Sequence, residues 1–294
     1  MTQLVQAIYS GLVLGAMYAT MAMGLTLIWG SLRLLNLAHG ALFTIGSYAA
    51  FTTVTSLGAP IALGPIAGAL GAAACGGAIY LAIYRPLMKT QNWETTTLAA
   101  GLGVAIFVQA GIILLYSARE KPLPTLVGGR FRLPGDVTAT GEGILIIATS
   151  LIVLLSLSVF LNRARHGIAI RALASNSAGA ELVGIHVERL TFAVMVLGSG
   201  LAGLAGVLLA SFYFVSPVAG WTALLKALIV TIAGGLGNLK GTIAAALLVG
   251  LLESSVSTWV GTRWSLPVLF GAIAVLLAVR PSGLAGKLSF ELGR

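Results

Sequence analysis

Long apolar runs separated by short polar segments make up most of the chain. The hydrocarbon core of a bilayer is about 30 Å thick and takes roughly 20 helical residues. The runs are continuous and lack the alternation of barrel strands. Backbone groups in lipid must be satisfied internally, so we expect helices. The pattern predicts an all-α transmembrane bundle of about eight or nine spans, forming a single domain over residues 1–294. The runs are Leu4–Gly30, Gly40–Leu57, Ile61–Tyr84, Thr95–Tyr116, Gly143–Leu161, Leu190–Phe214, Thr222–Ala233, Thr242–Val260 and Ser265–Val279.

The seventh run is too short for a simple span. Thr222–Ala233 would make only about 18 Å of helix at 1.5 Å per residue. We expect it either to continue through Gly234 and Gly235 or to stop inside the membrane as a broken helix.

Composition supports a membrane protein in contact with lipid. Of the 294 residues, 58% are hydrophobic and 9% are charged, which excludes an ordinary soluble domain. The formal net charge of +9 could indicate a nucleic-acid partner, but most Lys and Arg lie at the ends of apolar runs, so we predict none. The single Cys75 offers neither a disulfide nor a Cys-based metal site. The first run is too long for a signal peptide and is interpreted as a retained span.

The distribution of Lys and Arg predicts the orientation, because cytoplasmic segments carry an excess of both. With the N-terminus outside and the C-terminus cytoplasmic, eleven lie inside and five outside, Lys226 being intramembrane. The longest outside segment, Ser117–Glu142, contains three Pro and is predicted to be a surface loop. The inside set is Arg33, Arg85, Lys89, Arg163, Arg165, Arg171, Arg189, Lys240, Arg280, Lys287 and Arg294; the outside set is Arg119, Lys121, Arg130, Arg132 and Arg263.

The segment from residue 163 to residue 189 is a polar interruption with too many Ala, Leu and Ile for a flexible linker. Two short helices fit it, Ile168–Ala174 and Ala178–Val183. Asn176 and Ser177 supply capping oxygens between them, and Gly184 offers a left-handed stop. We interpret the segment as an ordered cytoplasmic loop that receives force from a soluble partner, and we call it the coupling loop.

Four polar residues fall within or beside apolar runs. Asn36 and His39 could cap the helix that starts near Gly40, or they could line the inner end of a pathway. Lys226 and Glu253 lie inside runs, where ionisable groups are costly unless they are paired or hydrated. Their distances from the outer ends of their runs are compatible, so we predict that they approach each other or share a polar cavity. Either a structural ion pair or a role in transport would fit.

No catalytic or nucleotide-binding pattern stands out. The stretch Gly234–Gly241 resembles a phosphate-binding loop, but Leu239 stands where that loop requires Gly. The sequence offers no His/Asp/Glu cluster for a metal and no catalytic triad. We therefore expect neither an enzyme nor a bound cofactor, and any energy input must come from another subunit.

Four stretches resemble the permease family of ABC importers for branched-chain amino acids. The opening GLVLGAMYATMAMGLTLIWGSLRLLNLAHGALFTIGSYAAF (Gly11–Phe51) contains the family's N-x-A-H-G element at Asn36–Gly40. RALASNSAGAELVGI (Arg171–Ile185) resembles the helix that docks on the ATPase. LLKALIVTIAGGLGNLKGTIAAALLVGLLE (Leu224–Glu253) resembles its Gly-rich segment, and RPSGLAGK resembles its tail. The chain is more similar to the shorter of the two paralogous permeases.

The resemblance implies a heterodimer with a second permease, together with two cytoplasmic ATPases that bind the ATP and a periplasmic substrate-binding protein. It also implies alternating access in the bacterial inner membrane. The implied ATPase-coupling residues are Arg171, Ala178, Ala180, Glu181, Leu182, Gly184 and Ile185, with Glu181 and Gly184 central.

Two other functions remain open. The same motifs occur in related permeases for urea and short amides. A stand-alone channel or secondary transporter is a further alternative, although such carriers commonly use intramembrane carboxylates or His and only Glu253 qualifies here.

Overall fold

In the computed structural model, which describes residues 2–133 and 137–285, nearly every element is helical. The elements up to the hairpin are α1 (Thr2–Leu32), α2 (His39–Phe51, continued as a π-helix over Thr52–Ser56), a 3-10 turn (Ile61–Leu63), α3 (Gly64–Ile79, continued as a π-helix over Tyr80–Tyr84), α4 (Arg85–Leu87), α5 (Trp93–Tyr116), β1 (Arg130–Leu133) and β2 (Val137–Thr140). After the hairpin come α6 (Gly141–Arg163), α7 (Arg165–Ser175), α8 (Ser177–Leu182), α9 (Val187–Phe212), α10 (Ala219–Gly234), α11 (Leu239–Trp259), a 3-10 turn (Thr262–Trp264) and α12 (Ser265–Val279).

Helix α1 is the centre of the bundle. Almost all of its length is buried, and it packs against α6, α9, α10 and α11. Gly11 and Gly15 allow α11 to approach closely: a Cβ at Gly11 would lie 2.8 Å from the Cα of Leu251. Close approach through small residues is how helices gain contact area in lipid, where apolar packing alone gives little preference for a protein neighbour.

The segment between α1 and α2 turns back into the bundle. The ring of His39, at the start of α2, lies 3.1 Å from the backbone oxygen of Met21, eleven residues before the end of α1 at Leu32. Leu37 and Gly40 line a cavity with Ala105, which is the middle of α5. Helix α2 therefore begins about halfway through the bundle.

Helix α10 is also short, and it stops rather than continues. It begins at Ala219, three residues earlier than the apolar run, and ends at Gly234, because Gly235 has a φ of +95°. Its 16 residues make about 24 Å of helix. Near its start, the indole N–H of Trp221 donates to the side-chain oxygen of Gln109 in α5.

Seven helices within the described ranges are long and apolar enough to cross a membrane. The all-α transmembrane bundle is therefore confirmed, and the protein is a multi-pass membrane protein. The predicted count of eight or nine spans is not confirmed, because α2 and α10 are shorter elements whose starts lie within the bundle.

The segment predicted to be a surface loop contains an antiparallel hairpin, so that prediction is wrong in part. Strand β1 pairs with β2 in the register Arg130↔Thr140. The side-chain amide of Gln6 in α1 both donates to the backbone of Thr138 and accepts from it. The three Pro residues of the segment indicate a loop, whereas the alternation of polar and apolar residues in its second half is typical of strands.

Candidate functional site

Lys226 and Glu253 meet inside the bundle, as their depths predicted. The Lys226 Nζ donates to Glu253 Oε1 at 2.6 Å. The Lys226 side chain is 19% exposed and that of Glu253 is 9% exposed. Helix α10 contributes the cation and α11 the anion, so the pair joins two helices that follow one another in the chain.

Tyr18 of α1 completes this cluster, and sequence reasoning missed it. Its hydroxyl donates to Glu253 Oε2 at 2.8 Å and accepts from Lys226 Nζ at 2.8 Å. The ammonium also lies 5.1 Å from the centroid of the Tyr18 ring. One signal could have found it: Tyr18 follows Gly11 and Gly15 at helical spacing, so it shares the face that packs on α11. We call Tyr18, Lys226 and Glu253 the intramembrane triad.

A cluster of Thr hydroxyls links the same three helices nearer to the C-terminal end of α1. Thr26 Oγ1 lies 2.9 Å from Thr242 Oγ1 and 3.4 Å from Thr231 Oγ1. All three residues are buried. Polar contacts thus tie α1, α10 and α11 together at two depths.

Asn36 and His39 lie inside the protein, and the structure contradicts the prediction that they cap α2. Both are fully buried. No side chain within the described ranges caps α2, because Asn36 Oδ1 instead accepts from the Tyr84 hydroxyl at 2.8 Å. Asn36 Nδ2 and His39 Nδ1 have no hydrogen-bond partner among the described residues. The 33–38 segment packs Asn36 against Tyr84 at the end of the third helix and brings His39 to the backbone of Met21 in α1.

The Asn36–Tyr84 contact gives a direct test of this burial. We expect Tyr84→Phe to lower the free energy of unfolding by about 1–3 kcal/mol, because it leaves a buried amide oxygen unpaired. The measurement is unfolding of the detergent-solubilised protein by titration with a denaturing detergent. Tyr9→Phe is the matched control: its hydroxyl donates to the Thr140 oxygen in a half-buried position, so its loss should cost less. Equal effects of the two substitutions would contradict a buried Asn36.

The coupling loop folds as predicted into two short helices, α7 and α8. Asn176 Oδ1 accepts from the Gly179 N–H at 2.9 Å and so caps α8. At the other end, Gly184 has a φ of +83°, and the N–H groups of Gly184 and Ile185 bond to the oxygens of Glu181 and Ala180. This closure is a Schellman motif. The Asn176 cap and this motif fix the two ends of α8, a helix of only six residues.

The residues implied for ATPase coupling differ in their accessibility. Ala178, Glu181, Leu182 and Gly184 are exposed, whereas Ile185 is partly buried and Ala180 is buried. Arg171 is exposed but donates to Asn162 Oδ1 at 3.0 Å. Leu182 is 89% exposed and its neighbour Val183 is 76% exposed. The tip of α8 therefore presents two large apolar side chains outside the bundle.

A cavity of about 740 Å³ separates α8 from the end of the third helix. Glu181, Gly184 and Ile185 line one side of it, and Arg85 lines the other. Arg85 forms an ion pair with Glu188 at the start of α9. The coupling loop is thus connected to α4 through one charged contact beside an open space.

The sequence model for the family described as "Branched-chain amino acid transport system / permease component" matches residues 7–279. The chain belongs to this permease family. Its function as a transport component fits the helical bundle and the family resemblance of the sequence.

Similar proteins match this permease over nearly its whole length. The high-affinity branched-chain amino acid transport system permease protein LivH of Salmonella typhimurium is 31% identical over 97% of this chain and 96% of its own. LivH of Escherichia coli is 30% identical with the same coverage. The corresponding permease protein BraD of Pseudomonas aeruginosa is 32% identical over 97% of both chains. No solved structure matches the permease at a significant level.

Proposed function

We propose that this permease is the membrane-spanning subunit of an ATP-driven importer for branched-chain or other hydrophobic amino acids in the bacterial inner membrane. It forms half of the translocation pathway, and a second paralogous permease forms the other half. Two cytoplasmic ATPases bind the ATP, and a periplasmic binding protein delivers the substrate. The names of LivH and BraD, which match over almost the full length, support this substrate class.

The arrangement of the two ends of the bundle supports the orientation. The start of α1 lies against the hairpin, since Tyr9 donates to Thr140. The other end of α1 lines a cavity with residues of the coupling loop, among them Asn176. The N-terminus of α1 and the coupling loop are thus at opposite ends. The excess of Lys and Arg lies on the coupling-loop side, so we place that side in the cytoplasm and the start of α1 outside it. Two residues of the cytoplasmic count, Lys287 and Arg294, lie outside the described residues.

The exposed tip of α8 is the observation that carries the coupling role. Large apolar side chains at the polar end of a membrane bundle are covered neither by lipid nor by the protein core, and such exposure marks interaction sites. A capped, rigid helix transmits displacement better than a flexible loop would. We assign Leu182 and Val183 as the contacts that enter a groove on the ATPase, with Glu181 and Gly184 beside them.

Leu182→Asp tests this assignment. We expect the ATPase to co-purify with the variant in an amount at least about tenfold lower, because a charge replaces an apolar anchor and each 1.4 kcal/mol of lost binding is tenfold in affinity. The measurement is the ratio of ATPase to permease after affinity purification of the co-expressed transporter.

Leu57→Asp is the matched control, since Leu57 is 74% exposed but lies at the opposite end of the bundle. It should leave the ATPase ratio unchanged. An unchanged ratio for Leu182→Asp, or an equal loss for both variants, would refute docking through α8.

Uptake measurements test the substrate. Cells lacking their own branched-chain uptake should accumulate leucine, isoleucine or valine only when the permease and its partners are all present. Import of urea or short amides in place of amino acids would favour the alternative from the same family. Uptake by the permease alone in liposomes without ATP would favour a stand-alone carrier.

A further inference from the structure

The intramembrane triad is a costly way to hold helices together. A buried ion pair recovers little more than the desolvation of its two charges, and apolar residues of similar volume are often as stable or more stable. The hydroxyl cluster of Thr26, Thr231 and Thr242 already links the same three helices without a charge. A structural requirement alone therefore gives no reason for a Lys and a Glu at this depth.

The Lys226 side of the triad borders an exposed strip of the permease surface. Val218, just before α10, and Thr222 precede Lys226 at four-residue spacing and are both exposed, as is Leu225. This strip leads from the start of α10 to the Lys226 side chain, which is itself 19% exposed. Tyr213, at the end of α9, is half exposed.

We propose that Lys226 and Glu253 bind the two charged groups of a zwitterionic amino acid during its passage, the substrate carboxylate on Lys226 and the substrate ammonium on Glu253. The apolar side chain of the substrate then lies along Val218 and Leu225. This inference rests on the proposed function, and it adds a binding site and the reason for its chemistry.

An exchange of ion-pair partners keeps the desolvation cost of binding the substrate small. A free amino acid at neutral pH carries one carboxylate and one ammonium, and each loses its hydration on entering the bundle. When it inserts between Lys226 and Glu253, one ion pair is replaced by two of the same kind, so every charge keeps an opposite neighbour. An apolar path would give the zwitterion no such compensation.

Tyr18 keeps the two protein charges in position during the exchange. Its hydroxyl accepts from Lys226 and donates to Glu253, so both remain bonded to a fixed group when their direct contact opens. Because α1 is buried along almost its whole length, the hydroxyl cannot move away with either partner. Tyr18 is thus a positioning residue.

The test uses the complete transporter, with its partner subunits, in cells lacking other leucine uptake. The double variant Lys226→Met/Glu253→Leu removes both charges and keeps the volume. We expect it to assemble with its partners but to take up leucine at least about 100-fold more slowly, since two charge-assisted hydrogen bonds to the substrate are lost. Leucine uptake equal to wild type would overturn the proposal.

A second variant covers the case in which the double variant fails to fold. Lys226→Arg preserves a cation opposite Glu253 but moves it, so the KM for leucine uptake should rise several-fold while the amount of assembled transporter stays the same. An unchanged KM would mean that the pair is only structural and would overturn the site. If instead the wild-type transporter takes up no amino acid, the proposed function itself fails, and this outcome is distinct from both.

Discussion

Replacing Lys226 alone by Met should lower the free energy of unfolding by about 3–5 kcal/mol. The substitution leaves the Glu253 carboxylate in the bundle without its cation, and an uncompensated buried charge is among the most destabilising changes in a protein. The Tyr18 hydroxyl would remain its only hydrogen-bond donor from the triad. Unfolding in mixed micelles, followed by loss of helical circular dichroism, measures the effect.

Removing both charges should restore most of that stability, since an apolar pair needs no counter-charge. Lys226→Met/Glu253→Leu is therefore expected to be more stable than Lys226→Met, although we expect it to be inactive in uptake. Lys240→Met is the matched control, because Lys240 is exposed at the start of α11 and its loss should change stability by no more than about 0.5 kcal/mol. A single Lys226 variant as stable as this control would contradict the observed ion pair.

Gly46→Ala should cost about 3 kcal/mol or more, because the added methyl group cannot be accommodated by a side-chain movement. A Cβ at Gly46 would overlap the Cα and the carbonyl oxygen of Gly203, so two backbones would have to separate. Overpacking typically costs 1–3 kcal/mol and more where backbone must shift. The same micelle unfolding experiment gives the change in stability.

Gly103→Ala provides the comparison at equal chemistry. Gly103 lies in α5, and no described atom beyond its chain neighbours and the nearby backbone of its own helix lies within 4 Å of the position of its Cβ. We expect this variant to differ from wild type by less than about 1 kcal/mol, with the higher helix propensity of Ala as the only contribution. A loss of stability at Gly46 as small as that at Gly103 would show that α2 and α9 do not pack through Gly46 and Gly203.

The sequence was sufficient where one local rule decided the structure. Asn176 and Gly184 bound a short helix because capping and left-handed termination depend on neighbouring residues only. The approach of Lys226 to Glu253 followed from depth, because an ionisable group in lipid must find a partner and few were available. Only the second prediction used depth in the membrane; the first needed the local sequence alone.

The sequence was insufficient where the chain reverses inside the bundle. Asn36 and His39 follow the end of an apolar run, and position along the chain alone places them at an interface. Their burial depends on contacts distant in the sequence, of Asn36 with Tyr84 and of His39 with α1, which no local pattern predicts. The same re-entry explains the uncertain number of spans, since helices that start at mid-depth have apolar runs of ambiguous length.

The central position of α1 has a consequence for how the permease is made. Its two main neighbours, α9 and α11, come late in the chain. Helix α9 begins at Val187, 155 residues after Leu32 ends α1. At 5–20 residues per second, the ribosome takes roughly 8–30 s to reach the start of α9. For that interval the Tyr18 side chain and the glycine faces of α1 contact lipid or the insertion machinery. Biosynthesis therefore passes through a half-built intermediate, and quality-control proteases have their best access to the permease at that stage.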